Sequence, residues 1–205
     1  MPRMNGYELC KTIKEDINIS HIPVILLTAR DDRQSQISGY KNGADGYLSK
    51  PFEVEMLMEL IRNRLKNREY TKKRYLNAGL IPTPEESTIS LTDETFLIKL
   101  NSIIQENIEN SNLGIQFICQ EVGLGRSSLY NKLKALTGMG ANEYISKLRI
   151  EKAITLISGT DMPFSEIAEK TGFTTPSYFS TAFKQYTGET PSQYKERKKK
   201  GLAGK

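Results

Sequence analysis

The chain has 205 residues, enough for one or two domains, with 38% hydrophobic and 26% charged residues. No apolar run approaches the ~20 residues of a membrane span, and the first residues lack the charged-then-apolar pattern of a secretory signal. Two distant cysteines, Cys10 and Cys119, and a single histidine, His21, argue against a zinc site and a histidine-based catalytic centre, and they suit a reducing cytoplasm. The net charge of +5 is spread thinly: 9 basic and 9 acidic residues over 1–65, 5 and 3 over 66–92, 15 and 12 over 93–205. Bulk charge hints at nucleic acid without establishing it.

The chain opens on "MPRMNGYELC", in which Pro2 and Asn5-Gly6 mark a loop. "GYELCKTIKED" follows with Leu9, Ile13 and Ile17 at spacing four, one face of a helix. "PVILLTA" is a short β-branched run, read as a strand buried on both faces. "DDRQSQISGYKNGA" is a polar helix that stops at Gly43, "DGYLSKPF" a second strand ending at Pro51, and "EVEMLMELIRNRLKNR" an amphipathic helix. This alternation predicts a parallel α/β arrangement. The basic "KNREYTKKRY" and the two prolines of "GLIPTPEEST" read as a helix tail running into a linker. From Asp93 the pattern is helical, with Phe96, Leu100, Ile103, Ile104 and Ile108 on one face of a first helix. The predicted boundaries are 1–68, a linker over 69–92, a helical domain over 93–197, and a basic tail over 198–205.

The helical part contains an internal repeat. "FICQEVGLGRSSLYNKLKALTGMGANEY" aligns with "EIAEKTGFTTPSYFSTAFKQYTGETPSQY", at offset 49 before the turn and 50 after it. Leu129, Leu133 and Tyr144 match Phe179, Phe183 and Tyr194, and Gly123 matches Gly172. Each copy is a short helix, a glycine turn and a second helix, the pattern of a helix-turn-helix. Cys119 and Ala168 are small residues suited to a helix crossing, and Gly123 and Gly172 suit positive φ. With Leu129/Leu133 and Phe179/Phe183 inward, Ser127, Tyr130, Asn131 and Lys134 point outward from the first second-position helix, and Ser177, Ser180, Thr181 and Lys184 from the other. Small polar residues with lysine suit base edges and phosphates. From Arg126 to Gly138 there are three basic residues and no acidic one. "NEYISKLRIEKAITLIS", a helix of about 17 residues and ~25 Å, is read as a spacer holding the two reading helices about one DNA turn, ~34 Å, apart.

These motifs resemble the AraC-type DNA-binding domain over residues 93–197. The resemblance implies two helix-turn-helix units joined by a long helix, with base-reading positions at Ser127, Tyr130, Asn131 and Lys134, then Ser177, Ser180, Thr181 and Lys184; Arg126, at the start of the first reading helix, joins the DNA-binding set. Gly125 and Gly140-Ala141 depart from the Ser and Ser-Pro common in close relatives. "MPRMNG", "VILLTAR" and "GADGYLSKPF" are similar to the second half of a response-regulator receiver domain. That resemblance implies a phosphoryl-gripping Lys50, a hydroxyl at Thr28, an aromatic switch at Tyr47 and a cis Lys50–Pro51 bond. In the family the phosphoacceptor Asp lies just before the "MP" turn, so an incomplete receiver without phosphoacceptor or metal site is expected, with Met1 an internal residue of a longer protein. Asp31, Asp32 and Asp45 are read as solvated surface residues.

The expected fold class is mainly α: two helix-turn-helix units joined by a long helix, preceded by an incomplete α/β, flavodoxin-like receiver half-domain with an open edge on the "VILLT" strand. The expected function is a sequence-specific DNA-binding transcription regulator, the cytoplasmic output part of a two-component response regulator and its phosphorelay. It is expected to be no enzyme and to need no cofactor. Double-stranded DNA is the expected partner, together with a sensor kinase fused or upstream in the parent protein and a second copy in a homodimer, with no membrane contact. The alternative is a degenerate receiver acting as a protein-interaction module.

Overall fold

The computed structural model describes residues 4–29, 33–78 and 90–203. It contains two compact units, residues 1–99 with 124–138, and residues 100–123 with 139–205.

The first unit begins with α1 (Gly6–Glu15). The Asn5 side chain accepts the N–H groups of Tyr7 and Glu8 at 3.0 and 2.9 Å, and Glu8 accepts the N–H of Asn5 at 2.9 Å, a reciprocal cap. The residue α1 buries is Cys10; Leu9 is exposed and Ile13 only half-buried. The predicted Leu9–Ile13 face is thus offset, because Cys10 is the side chain that meets the turn after the next helix, its Sγ donating to the Asn42 carbonyl at 3.4 Å. Strand β1 (Ile25–Thr28) pairs in parallel with β2 (Gly46–Ser49), Ile25 opposite Gly46 and Thr28 opposite Ser49. Among the described residues β1 has β2 as its one neighbour, and Leu27 is exposed. Helix α2 (Arg33–Lys41) joins them and ends before Gly43, whose φ is +82°.

Asp45 is a correction to the sequence reading. Its carboxylate accepts the Val24 N–H at 2.7 Å and pairs with Lys14 at 2.7 Å, so it ties α1 to the entry of both strands instead of facing solvent. Asp31 and Asp32 lie outside the described residues. The Lys50–Pro51 bond is cis.

Helix α3 (Val54–Ala78) lies tight on β2, where a Cβ on Gly46 would come within 2.9 Å of Leu60. It continues without a break to Ala78, through the "KNREYTKKRY" stretch read as a helix tail, and it packs against α6 (Arg126–Thr137). The front of α4 (Leu91–Glu106) completes the unit: Thr92 donates to the Lys14 carbonyl at 2.9 Å, and Phe96 and Leu97 are buried.

The second unit holds the rest of α4, where Leu100, Ile103 and Ile104 are buried, with Ile108 just beyond. It continues with α5 (Ile115–Val122), α7 (Ala141–Gly159), α8 (Phe164–Lys170), α9 (Pro176–Thr187) and α10 (Pro191–Ala203). Its core draws Ile150, Ala153 and Ile157 from α7, Ile167 and Ala168 from α8, Phe179 and Phe183 from α9, Tyr194 from α10, and Phe173 from the turn. The four rings form a chain of tilted and edge contacts, with centroids 5.4–5.7 Å apart. Burying each is worth about 1.5–3 kcal/mol. Helix α10 runs to Ala203 with Lys198, Lys199 and Lys200 exposed, and before them Lys195 pairs with Asp161 at 3.2 Å. Cys119, a small residue at the predicted helix crossing, is half-buried.

Candidate nucleic-acid interface

Two helices carry the expected reading residues. In α6, Leu129 and Leu133 are each 1% exposed, which fixes the face turned inward. Arg126, Ser127, Tyr130, Asn131 and Lys134 then stand on the exposed side. In α9, Phe179 and Phe183 are fully buried, and Ser177, Thr181 and Lys184 are exposed. Ser180 is half-buried, and the Thr181 hydroxyl donates to the Ser177 carbonyl at 3.1 Å.

Local sequence sets both helices. Gly123 leaves α5 at φ +73° and Gly172 leaves α8 at +70°, so the repeat-matched glycines make the same left-handed turn. Thr175 caps α9 by accepting the Tyr178 N–H at 3.2 Å, and Pro176 takes the first helical position. Neither α6 nor α9 has an acidic residue in its first turn. The partial positive charge of those two helix ends is left uncompensated there, which favours phosphate.

Alongside α9, Ser180, Thr181 and Lys184 line a shallow concavity of about 630 Å³ together with Gln185 and Thr190. Sequence spacing missed the last two, although Gln185 directly follows Lys184. The Lys184 ammonium has no ion pair or hydrogen-bond partner among the described residues, so it can meet a phosphate. Tyr178, 56% exposed, stands at the start of α9 and sets its edge on Phe173 at 5.7 Å.

The three basic residues of α6 do not act alike, and Lys132, which is not among the positions read as outward, is the one turned inward. Arg126 and Lys134 are exposed, but Lys132 is fully buried, ion-paired with Asp93. Burial pushes the Lys132 pKa down, against the pull of Asp93. In the second unit Arg149 is likewise half-buried, donating to the Asn110 carbonyl at 2.6 Å with its guanidinium 6.0 Å from the Phe173 ring centroid. Burial raises the Tyr144 hydroxyl to about 12, and it is held to Asn101 at 2.8 Å.

Thr28 and Lys50 are brought to one end of the sheet, while Tyr47 lies farther back, opposite Leu26. Thr28 closes β1, Lys50 follows β2, and the Lys50 N–H donates to the Thr28 carbonyl at 2.6 Å. Open α/β sheets place their sites at such carboxyl ends. Lys50 is exposed; Tyr47 is half-buried over Gly39 of α2, where an added Cβ would lie 3.1 Å from its ring. Among the described residues no three His, Cys, Asp or Glu side chains group as metal ligands, and no helix is long and apolar enough to cross a membrane.

Residues 1–62 match the response regulator receiver domain family, and residues 118–197 match a helix-turn-helix domain family. The chain therefore joins a receiver-family segment to a helix-turn-helix segment, the domain pairing of AraC-type response regulators. It is similar to "Histidine kinase P4" of Formosa agariphila, at 43% identity over 197 residues, 96% of this chain and 14% of that protein. The chain thus spans about a seventh of that relative. It is 29% identical over 154 residues to "Probable transcriptional regulator ycf29" of Pyropia yezoensis, covering 70% of this chain and 69% of that protein. Among solved structures, the C-terminal domain of the two-component response regulator yesN from Fusobacterium nucleatum is 32% identical, covers 47% of this chain and 93% of its own length, and has a TM-score of 0.44.

Proposed function

We infer that this chain is the sequence-specific DNA-binding output part of a two-component regulator. The observation that carries the reading is the pair of repeat-matched helices, α6 and α9, each with a buried apolar pair on one side, an exposed polar face with lysine on the other, and an acid-free first turn. Of the eight positions expected to read bases, Ser127, Tyr130, Asn131, Ser177, Ser180 and Thr181 meet base edges, while the charge of Lys134 and Lys184 suits them, with Arg126, to hold phosphates. Function resides in binding rather than catalysis, over a receiver part at 1–68, a DNA-binding part at 93–197, and the connecting 69–92. The likeness to a histidine kinase across both parts supports a parent protein in which a sensor kinase precedes this segment in the cytoplasm. Thr28, Tyr47 and Lys50 would there serve a phosphoacceptor supplied by the rest of the receiver.

The test is a titration of duplexes enriched from genomic DNA by the chain, against random duplexes, at two salt concentrations. A sequence-specific binder discriminates, and its affinity falls as salt rises. Equal affinity for enriched and random duplexes would sink the reading. A second reading, docking of a protein partner by the receiver part, draws support from the exposed Leu27 on β1 and Val54 and Met56 on α3.

A further inference from the structure

We propose that the receiver part sets the orientation of the first reading helix through a buried contact of Ser20 with Lys132 and Asp93, which makes Ser20 and Lys132 positioning residues for DNA reading. This rests on the reading of α6 as a DNA-contacting helix.

The contact joins three distant stretches of the first unit. Lys132 lies on α6 between the exposed Asn131 and Lys134, yet it is 0% exposed. At 3.6 residues per turn, about 100° per residue, Lys132 and Lys134 point to opposite sides of the helix. The Lys132 ammonium donates to the Asp93 carboxylate and, at 2.7 Å, to Ser20 Oγ, while Ser20 Oγ donates to Asp93 at 2.8 Å. The ammonium also sits 5.1 Å from the Phe96 ring centroid. Ser20 is fully buried in the turn between α1 and β1, and that turn is itself held, by the Ser20 N–H to Asp16 at 2.8 Å and by Lys14 to the Ser20 carbonyl at 3.3 Å.

The internal repeat shows that packing alone does not call for this lysine. The position matched to Lys132 in the second copy is Ala182, a half-buried apolar residue of α9. A charge with no packing necessity, buried on the back of a reading helix, paired with Asp93 of α4 and tied to Ser20 of the receiver part, fixes direction in a way apolar contact does not. Its hydrogen bonds tolerate one geometry, and losing either partner of the charge pair would strand the other. Any displacement of the α1–β1 turn is therefore transmitted to α6, and with it to Ser127, Tyr130, Asn131 and Lys134. The exposed face of α6 stays clear of the contact, so control acts on orientation rather than by covering the reading surface.

The test uses the full chain and four variants: Ser20→Ala, Ser20→Thr, the double Asp93→Leu/Lys132→Met, and Asn131→Ala. Ser20→Ala removes the tie and leaves the ion pair; the double variant replaces the pair with apolar side chains of similar size, which keeps the fold. Hydrogen exchange over 126–137 and 176–187, and discrimination between enriched and random duplexes, are the readouts. Ser20→Ala and the double variant are expected to speed exchange over 126–137 and lower discrimination by about threefold, the loss of one net hydrogen bond, with 176–187 unchanged. Ser20→Thr, which keeps the hydroxyl, restores both. The proposal is overturned if exchange over 126–137 is unchanged, if both helices speed up equally, or if discrimination holds while Asn131→Ala lowers it. Should Asn131→Ala also leave discrimination intact, the reading of α6 as a DNA helix fails, and exchange alone decides whether the coupling exists.

Discussion

His21, the single histidine of the chain, gives stability a pH dependence of defined sign. Its Nδ1 is buried without a hydrogen-bond partner among the described residues. Burial holds its pKa below the usual value, and Lys132, Arg68 and Lys14 act in the same direction against Asp93. The folded chain therefore binds fewer protons at His21 than the unfolded chain, and stability rises with pH across that interval. The contribution is full above the unfolded pKa of about 6.5 and is lost as pH falls below it. The urea midpoint is expected to drop between pH 7.5 and 5.5, and His21→Gln is expected to flatten that drop; equal slopes in the two proteins would refute the assignment. Little of this surrounding was legible in the sequence. Ser20, Asp93 and Lys132 are separated by 73 and 39 positions, and no periodic pattern relates a buried charge to its partner. Asp45 was misread for the same reason: as a lone acidic residue in a turn it gives no sign of the Val24 amide and Lys14 that hold it.

At the level of elements, the repeat predicted most of the C-terminal arrangement, because glycine turns and fourfold-spaced apolar residues act locally. It also sets up a comparison between equivalent positions. Gly123 and Gly172 share a left-handed backbone, but space around them differs. A Cβ on Gly123 meets nothing within 4 Å, whereas one on Gly172 would lie 2.2 Å from the Ile108 carbonyl oxygen and 2.8 Å from the Arg149 guanidinium. Gly123→Ala should cost only the backbone penalty, about 1–2 kcal/mol. Gly172→Ala should cost well beyond that, on the order of 4 kcal/mol or more, read as the difference in denaturant midpoint. Similar losses at both sites would contradict the packing described. Phe183→Ala, which opens a hole among Phe179, Tyr194 and the α7 side chains, should cost about 3–5 kcal/mol. The extent of α3 was partly legible: "KNREYTKKRY" reads as a helix tail, and the helix runs through it to Ala78.

Across the whole molecule, two behaviours test the assignment of parts. Asn131→Ala is expected to relax sequence preference, while Lys134→Ala and Lys184→Ala each weaken binding to every duplex and reduce the salt slope by about one. A slope unchanged in both lysine variants would remove them from the phosphate contacts. The two-stranded sheet makes a separate prediction for the receiver part. With β2 as the one described neighbour of β1 and Leu27 exposed, self-association through that edge is expected at high concentration. Leu27→Lys should suppress it in sedimentation runs, and a concentration-independent monomer in the unmutated chain would argue that the edge is covered.

The opposite orientations of Lys132 and Lys134 have a chemical signature. An amine-reactive ester modifies lysines in proportion to their access to solvent, and these two lie within one turn of one helix. Lys134 should label readily in the free chain and become protected when DNA is added. Lys132 should stay unlabelled in both states and react only once the fold opens, so a single peptide carrying the two lysines reports DNA occupancy at one and folding at the other.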